Sequence, residues 1–365
     1  MSEWQTFCLK DLGKIVGVTT PSTNNPKNYG NKIAWITPKD LSTLQGRYIK
    51  KGSRSISRLG FKSCSCVLLP KHAILFSSRA PIGYVAIAKK RLCTNQGFKS
   101  IIPNKKIYFE FLYYLLKYHK DNISNIGGGT TFKEVSGATL GLFKVKIPPT
   151  YYEQQKIART LSILDQKIEN NHKINELLHT LAYKIYEYYF KYKPKNAKLE
   201  QIIIENPKSS IMVKNAQKTQ DKYPFFTSGD NILSYPKAII DGRNCFLNTG
   251  GNAGIKFYVG KASYSTDTWC ICANEFSDYL YLLLSSIKTH INQSFFQGTS
   301  LKHLQKNLLK KYPIYMPSAH EIKKFNQIIM PLLTLISINT RISKKLEQIR
   351  DFLLPLLLTQ QVKPQ

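Results

Sequence analysis

The residues that could carry out chemistry in this sequence do not form a known catalytic pattern. Ile147, Pro148, Pro149 and Thr150 approach the [Asp/Asn]-Pro-Pro-Tyr box of amino-methyltransferases. Ile147, however, stands where an acidic or amide side chain must hold the target amine, and Thr150 replaces the tyrosine. The glycine-rich stretch 250–254 leads into a predicted strand, not into a helix whose amino end could bind phosphate. We therefore predict a chain with no active site and no cofactor of its own.

Histidine and cysteine spacings predict no metal site. The seven histidines are scattered, without HxH or HExxH spacing. Cys64 and Cys66, like Cys270 and Cys272, are separated by one residue, which favours alternation along a strand over zinc ligation. The odd number of cysteines, with no visible secretory signal and no apolar run long enough to span a bilayer, predicts reduced thiols in a cytoplasmic protein.

The charge balance points to a polyanionic partner. The 365 residues include 53 Lys and Arg against 22 Asp and Glu, which gives a formal net charge of +31. Such an excess is typical of proteins that contact nucleic acid, although a lysine-rich proteome could also inflate a surface in this way. Cations interleaved with serines between positions 47 and 62 suit phosphate contact, and a solvated loop is the alternative.

The residues that we predict to face DNA lie in both halves of the chain. In the first half they are Arg47, Lys50, Lys51, Arg54, Arg58, Arg79, Thr130 and Thr131. In the second half they are Lys237, Arg243, Asn252, Lys256, Thr299 and Ser300.

Two long helices must position these residues. Prolines at 148 and 149 and an acidic residue at 153 mark a helix start, and apolar residues then follow a heptad to about position 190. The pattern recurs from Pro317 at an offset of 168 residues (317 − 149). We predict that the helices pair antiparallel, with Asn171 and Asn339 meeting at mid-helix; the alternative is two unrelated helices on separate cores.

The residues predicted to mesh between the helices are apolar, apart from the two asparagines. On the first helix they are Leu161, Leu164, Ile168, Asn171, Leu178 and Ile185. On the second they are Ile329, Leu332, Ile336, Asn339, Leu346 and Leu353. Pro331 and Pro355 are expected to interrupt the second helix.

The globular regions also repeat, which predicts an internal duplication. Residues 1–148 read as mixed α/β, with strands at 33–36, 73–76, 84–88 and 101–102 and a helix at 109–119. The turn and strand at 248–259 match those at 78–88. We predict four segments: a globular domain (1–148), a long helix (149–195), a second globular domain (196–316) and a second long helix (317–365). The fold class is α/β (α+β), with two globular copies separated by an antiparallel coiled coil.

This order of motifs resembles the specificity subunit of type I restriction-modification systems. The resembling stretches include 20–22 through Trp35-Ile36-Thr37-Pro38-Lys39-Asp40-Leu41, the 127–132 loop, Ile147-Pro148-Pro149 with Glu153-Gln154, and 164–171. In the second half they are 223–229 and the 250–254 turn. The resemblance covers almost the whole chain.

The resemblance implies a non-catalytic subunit with two target-recognition domains, each reading one half of a bipartite, asymmetric site in double-stranded DNA. It further implies that the helices set the spacer and dock methyltransferase subunits, of which two are expected, with restriction subunits in the full complex. S-adenosylmethionine, ATP and Mg²⁺ are then expected only on those partners.

Two alternatives stay open. One is an orphan DNA-binding module without partner subunits, and the other is a specificity subunit of a related multi-subunit restriction-methylation enzyme. A single-chain fusion with a methyltransferase is disfavoured, because two recognition domains and two helices already fill 365 residues.

Overall fold

A computed structural model describes residues 3–129, 133–216 and 222–363. The chain divides into two compact units, which we call unit 1 (residues 1–170 and 343–365) and unit 2 (residues 171–342). Each unit therefore contains one globular region and one stretch of each long helix. The four predicted segments divide the chain differently, because they assign each helix to a segment of its own.

Unit 1 holds the first set of strands and helices. They are β1 (Gln5–Cys8), α1 (Leu9–Leu12), β2 (Gly13–Gly17), β3 (Tyr29–Ile36), α2 (Pro38–Ser42), β4 (Tyr48–Ile49), β5 (Arg54–Ile56), α3 (Arg58–Lys62), β6 (Ile74–Ser78), β7 (Ile82–Ala88), β8 (Cys93–Thr94), β9 (Lys99–Pro103), α4 (Phe109–Asn125), α5 (Gly137–Leu142) and β10 (Lys144–Ile147). The long helix α6 (Tyr151–Tyr186) begins in this unit.

Unit 1 is built on a five-stranded sheet in the order β2-β9-β6-β7-β4 and a three-stranded sheet in the order β5-β3-β8. β3 and β8 run parallel, with Trp35 opposite Cys93, and β1 pairs antiparallel with β10. The apolar face of α4 packs with Leu161 of α6 and with Leu354 in one buried cluster. This cluster attaches the globular part of the unit to its helix segments.

The predicted strand at Cys64 and Cys66 is wrong. Both residues follow α3 in a turn, where their sulfur atoms lie 2.9 Å apart as free thiols. The Cys64 side chain donates to the carbonyl of Gly60, which keeps the segment turned back onto α3. Cys270 and Cys272 do lie on a strand, as predicted.

Unit 2 holds the second set of elements. They are β11 (Ala197–Lys198), β12 (Ile204–Glu205), α7 (Val213–Ala216), β13 (Tyr223–Phe226), β14 (Ile232–Tyr235), β15 (Arg243–Asn248), β16 (Ile255–Val259), β17 (Ser263–Tyr264), β18 (Thr268–Cys272), α8 (Ser277–Ser286), α9 (Lys288–Ser294), β19 (Phe296–Gln297), β20 (His303–Leu304), α10 (Lys306–Lys310) and β21 (Pro313–Ile314). The second long helix, α11 (Ala319–Leu358), begins in this unit.

Unit 2 repeats the plan of unit 1. The sheet β12-β18-β15-β16 corresponds to β2-β9-β6-β7, and β14-β13-β17 corresponds to β5-β3-β8. Even the parallel pair recurs, since β13 and β17 run parallel with Phe225 opposite Ser263. The predicted duplication of a mixed α/β fold is thereby confirmed. β4 adds a fifth strand to the larger sheet of unit 1.

Both long helices form as predicted. α6 continues beyond Tyr186 as one π-helical turn, Glu187–Lys191, in which Glu187 pairs with Lys184 and Lys191. α11 continues through Pro331 and Pro355, so the expected interruptions are wrong. Buried Ile329 and Leu333 flank Pro331, and buried Leu354 and Leu357 flank Pro355. This packing offsets the hydrogen bond that each proline removes.

Within each unit the two helix segments run antiparallel. In unit 1, Leu161 clusters with Leu354, Leu357 and Leu358, and Arg350 bonds to Asp165. In unit 2, Leu178 and Ala182 cluster with Ile329, Leu332 and Ile336. Each predicted seam residue is buried or half-buried: Leu161, Leu164, Ile168, Asn171, Leu178, Ile185, Ile329, Leu332, Ile336, Asn339, Leu346 and Leu353.

Asn339 pairs with Asn175 in the seam between the helices, and not with Asn171. The Asn339 side chain donates to Asn175 Oδ1 at 3.0 Å, whereas Asn171 was the predicted partner. Asn175 also donates to the carbonyl of Ile336 and to Thr340 Oγ1, at 3.4 and 3.3 Å. The helices are therefore offset by about one turn from the predicted register, and the polar contact still lies in the seam.

Candidate DNA interface and helix surfaces

The most prominent basic surface of unit 1 is built on one aspartate. Asp40 lies in the first turn of α2, where one carboxylate oxygen accepts hydrogen bonds from the Thr37 backbone N–H and hydroxyl at 2.8 and 2.7 Å. Its other oxygen accepts from the Ser53 backbone N–H at 2.7 Å. Burial raises the pKa of Asp40, but these hydrogen bonds from Ser53 and Thr37 outweigh it and lower the pKa below its ordinary value.

Asp40 thereby fixes the connection between β4 and β5, which carries Lys50 and Lys51. A Cβ atom at Gly52 would lie 2.3 Å from the Trp35 carbonyl oxygen, so the close approach requires glycine. Both lysines are exposed. The anchored loop presents two cations to solvent at the edge of a rigid sheet.

Arg54 and Arg58 extend this surface. Arg54 is exposed on β5, with its guanidinium 5.9 Å from the ring centroid of Tyr29. Arg58 is exposed on α3, behind the N-cap Ser57, whose hydroxyl accepts from the Gly60 N–H at 3.0 Å. Four of the residues predicted to face DNA thus lie on one continuous, accessible segment, and the geometry suits phosphate contact.

Arg47 does not belong to this surface, and its predicted role is corrected. Its side chain is only 3% exposed and forms ion pairs with Glu110 at 3.1 Å and Glu169 at 3.2 Å. Burial disfavours the charge, but the surrounding Tyr114 and carboxylates more than compensate and raise the pKa of Arg47. An arginine already desolvated among carboxylates is not available to a phosphate.

Two neighbouring loops of unit 1 carry the other predicted residues. Arg79, half-exposed, lies 3.6 Å from Glu134, which also pairs with Lys99 at 3.0 Å. The Val135 N–H donates to the Ser78 carbonyl, joining the two loops. Thr130 and Thr131 lie outside the described residues.

The corresponding loops of unit 2 are also joined. The Gly251 N–H donates to the Lys302 carbonyl at 2.9 Å, and Gly251 has φ +78°, a conformation that favours glycine. Asn252, Thr299 and Ser300 are exposed on these loops. The structure therefore brings these three predicted residues onto adjoining loops.

Lys237 borders an open groove in unit 2. The groove has a volume of about 490 Å³ and is lined by Tyr223, Pro236, Lys237, Ala238, Ile239, Ile240, Asp241 and Lys261. Sequence reasoning missed Lys261, an exposed cation that follows Gly260 in the turn after β16.

Arg243 and Lys256 are engaged internally, which corrects two further predictions. Arg243 forms a forked ion pair with Asp278 and also donates to Thr334 Oγ1 at 2.9 Å. Lys256 Nζ donates to the Thr227 carbonyl at 2.8 Å and to Asn248 Oδ1 at 3.1 Å. Burial lowers the pKa of Lys256, because desolvation disfavours the charged amine.

The helices expose apolar side chains outside the seam. In unit 2, α6 exposes Ile174, Leu177 (70% exposed) and Leu181 on one face, at i, i+3 and i+7. In unit 1, α11 exposes Ile349 and Phe352 (68% exposed). Positions 181 and 349 are equivalent under the 168-residue offset. Sequence reasoning assigned only the seam; a search for a second apolar stripe would have found these residues.

Among the described residues, no cluster of histidine, cysteine or carboxylate side chains could hold a metal ion. Within that same part of the chain, no helix combines the length and apolar character needed to cross a membrane.

The type I restriction modification DNA specificity domain matches this chain twice, over residues 1–180 and 195–348. The MjaIX specificity subunit, a type I restriction enzyme subunit of Methanocaldococcus jannaschii, is 33% identical over 97% of this chain and 92% of its own length. The HindI specificity subunit of Haemophilus influenzae is 30% identical over 46% of this chain and 37% of its own.

Comparison with solved structures supports the fold. The S subunit of a type I restriction-modification system from M. genitalium superimposes with a TM-score of 0.64 over 98% of this chain and 96% of its own, at 17% sequence identity. A duplicated α/β fold on two long helices is the architecture that this chain shares with that S subunit. The chain belongs to the type I restriction-modification DNA specificity family.

Proposed function

We propose that the chain reads a bipartite, asymmetric site in double-stranded DNA through two target-recognition domains, residues 1–148 and 196–316. This proposal rests on one observation: the two units repeat the same sheet order, but their equivalent loops carry different side chains. Arg79 occupies the first loop in unit 1, and Asn252 the corresponding loop in unit 2. Two readers with a common scaffold and different surfaces should recognise different half-sites.

We assign the affinity for DNA to the exposed lysines and arginines. Lys50, Lys51, Arg54 and Arg58 in the first domain, and Lys237 and Lys261 in the second, are exposed and suited to phosphate contact. Arg79 and Asn252, with Thr299 and Ser300, are better suited to base edges, because they lie on paired loops that hold them in place.

The helices 149–195 and 317–365 are proposed to set the spacer between the half-sites and to dock methyltransferase subunits. Exposed Leu177 and Leu181 in unit 2, and Ile349 and Phe352 in unit 1, support docking, because neighbouring exposed apolar side chains on one face of a helix mark an interaction surface. Since positions 181 and 349 are equivalent in the repeat, two methyltransferase subunits are expected. Restriction subunits join in the full complex.

Catalysis is assigned to those partners. S-adenosylmethionine, ATP and Mg²⁺ are proposed to bind there, and the complex to act in the cytoplasm. The second candidate, an orphan DNA-binding module, predicts that no methyltransferase subunit will bind the chain.

Reconstitution of the full chain with type I methyltransferase subunits from the source organism tests the function. DNA is incubated with S-adenosylmethionine and the chain alone, the methyltransferase subunits alone, or both, and modified bases are mapped by sequencing. We expect methylation of one bipartite motif only when both are present. Methyl transfer or, with Mg²⁺, cleavage by the pure chain would contradict the non-catalytic assignment.

A matched pair of variants separates DNA contact from assembly. Lys50→Gln with Lys51→Gln should weaken binding to all sequences alike and reduce the salt slope by about one unit for each phosphate that is no longer neutralised. Leu177→Glu with Leu181→Glu should leave the chain folded and remove one of the two methyltransferase subunits from the complex. Unchanged docking would place the partner surface elsewhere.

A further inference from the structure

We propose that Arg47 and Arg243 are positioning residues, each of which locks one recognition domain onto the helix segments of its own unit and so gives the complex a single preferred gap between half-sites. The inference rests on the proposed function, because it needs the helices to act as the spacer. It assigns to these two arginines, of which Arg47 is buried and Arg243 is half-buried, a role in positioning the domains instead of DNA contact.

In unit 1, Arg47 joins the globular domain to α6. Its backbone N–H and its Nε both donate to Glu169 Oε1, at 2.9 and 3.2 Å, while its Nη1 donates to Glu110 Oε1 on α4 at 3.1 Å. Gly46, with φ +122°, brings the chain so close that an added Cβ would lie 2.9 Å from Glu169 Cγ.

The contact extends to the second helix through Asp165. This carboxylate, 5% exposed, lies 3.9 Å from Arg47 Nε and accepts from Arg350 of α11 at 2.7 Å. Tyr114 of α4 donates to its other oxygen. One connected set of charges therefore links the domain to the stretches of both long helices in unit 1.

Unit 2 has a smaller counterpart. Arg243 at the start of β15 forms a forked pair with buried Asp278 on α8. The same guanidinium donates to Thr334 Oγ1 and to the Met330 carbonyl of α11, at 2.9 and 3.2 Å. Arginine again bridges a carboxylate of the globular part and a long helix.

Each recognition domain has one preferred position on its helices, because its arginine forms directional hydrogen bonds with desolvated charged groups. A guanidinium presents its donors in a rigid plane, so it satisfies carboxylates in one relative orientation. A slip of the domain along the helices would separate Arg47 from Glu169 in unit 1, and Arg243 from its acceptors on Thr334 and Met330 in unit 2. Charged groups that are desolvated and lose a partner in this way destabilise the slipped arrangement. Apolar packing alone, as between α4 and Leu161, tolerates small shifts more readily because it is non-directional.

The test compares assembled complexes on a panel of DNAs that carry both half-sites at the native gap and at gaps longer or shorter by one and two base pairs. The variants are Arg47→Lys and Arg243→Lys, which keep the charge but remove the fork, and Glu169→Gln, which weakens only the helix contact of Arg47. Arg91→Lys, at an exposed arginine of unit 1, is the control.

For each positioning variant we expect the preference for the native gap to fall by roughly an order of magnitude, while the half-site bases stay the same. Arg91→Lys should keep the wild-type preference. Variants that bind or assemble less well but keep the wild-type gap preference would overturn the inference, as would a failure of all three to assemble. A wild-type complex indifferent to the gap would instead overturn the proposed spacer function itself.

Discussion

At the scale of single residues, Asp40 links local folding to the proposed DNA surface. Its carboxylate caps α2 through Thr37 and accepts from Ser53, so the loop with Lys50 and Lys51 is tied to α2 at its Ser53 end. Because the folded protein lowers the pKa of Asp40, the ionised form is the one that stabilises the fold.

Asp40→Asn should therefore lower the free energy of unfolding by about 1 kcal/mol at neutral pH, a value that allows for partial solvent screening. This contribution is present above the pKa of Asp40 in the unfolded chain and is lost as pH falls through the lower pKa of the folded state. Urea unfolding of wild type and variant at pH 7 and at successively lower pH measures the difference.

The difference in the free energy of unfolding between wild type and Asp40→Asn should decrease as the pH falls. Asp121→Asn, at an exposed position on α4, is the control and should change little at any pH. A difference that stays constant to pH 3 would show that the Asp40 side chain acts through shape instead of charge.

Residue type alone could not separate the accessible cations from the internal ones. Arg47 and Arg54 lie in the same serine-rich basic segment, yet the first is buried among carboxylates and the second is exposed. The difference arises from Glu110 and Glu169, which are distant in sequence and meet Arg47 only after folding. Lys50, Lys51, Arg54 and Arg58 stay predictions as DNA contacts.

At the scale of elements, the heptad pattern was sufficient to predict both helices and their antiparallel direction. The register was not predictable to the turn, because Asn171 and Asn175 both fall at seam positions and either could meet Asn339. The prolines of α11 were misjudged for a related reason: tertiary packing on Ile329 and Leu333 outweighs a local helix-breaking preference.

The Asn175–Asn339 hydrogen bond should contribute more to the register of α6 against α11 than to the stability of the fold. Asn175→Ala leaves the buried Asn339 amide without its acceptor and should cost about 1–3 kcal/mol in the free energy of unfolding. Replacing both by leucine should restore or exceed wild-type stability, because an apolar seam removes the need for the hydrogen bond.

Denaturant unfolding of the full chain measures both effects, and Asn170→Ala, exposed on the same helix, is the matched control. A double leucine variant less stable than Asn175→Ala would mean that the asparagines contribute through contacts other than their mutual bond. In the assembled complex, the double variant should also show a less sharp gap preference, because its seam no longer distinguishes neighbouring registers.

At the scale of the whole molecule, the duplication was predictable from turns and strands that recur at nearly constant offset. The sheet β12-β18-β15-β16 repeats β2-β9-β6-β7 although few residues are shared, since the pattern of buried strands is maintained while their side chains change. The residues proposed to read bases were not predictable on the same grounds, because the loops that carry them, such as those of Arg79 and Asn252, differ between the repeats.

In the proposed function, the length of the two helices sets the number of base pairs between the half-sites. Inserting one heptad into both α6 and α11, at mid-helix, preserves the seam and lengthens each helix by about 10 Å, equivalent to roughly three base pairs. We expect the gap in the methylated motif to widen by about that amount, while both half-sites keep their bases. Methylome sequencing of cells that carry the insertion in place of the wild-type gene measures gap and bases together.

Insertion into α6 alone is the matched control, because it leaves seven residues without seam partners on α11 and should abolish or scatter methylation. Rotation of one recognition domain around the duplex accompanies the longer gap, so the complex with the double insertion should methylate DNA more slowly than wild type.

An unchanged gap would show that helix length does not set the spacing between the half-sites. A changed half-site sequence would place base reading in the helices, against their burial in a seam lined by Leu161, Ile168 and Ile336. The expected combination of a wider gap with constant bases follows because the insertion lengthens the helices and leaves the recognition loops untouched.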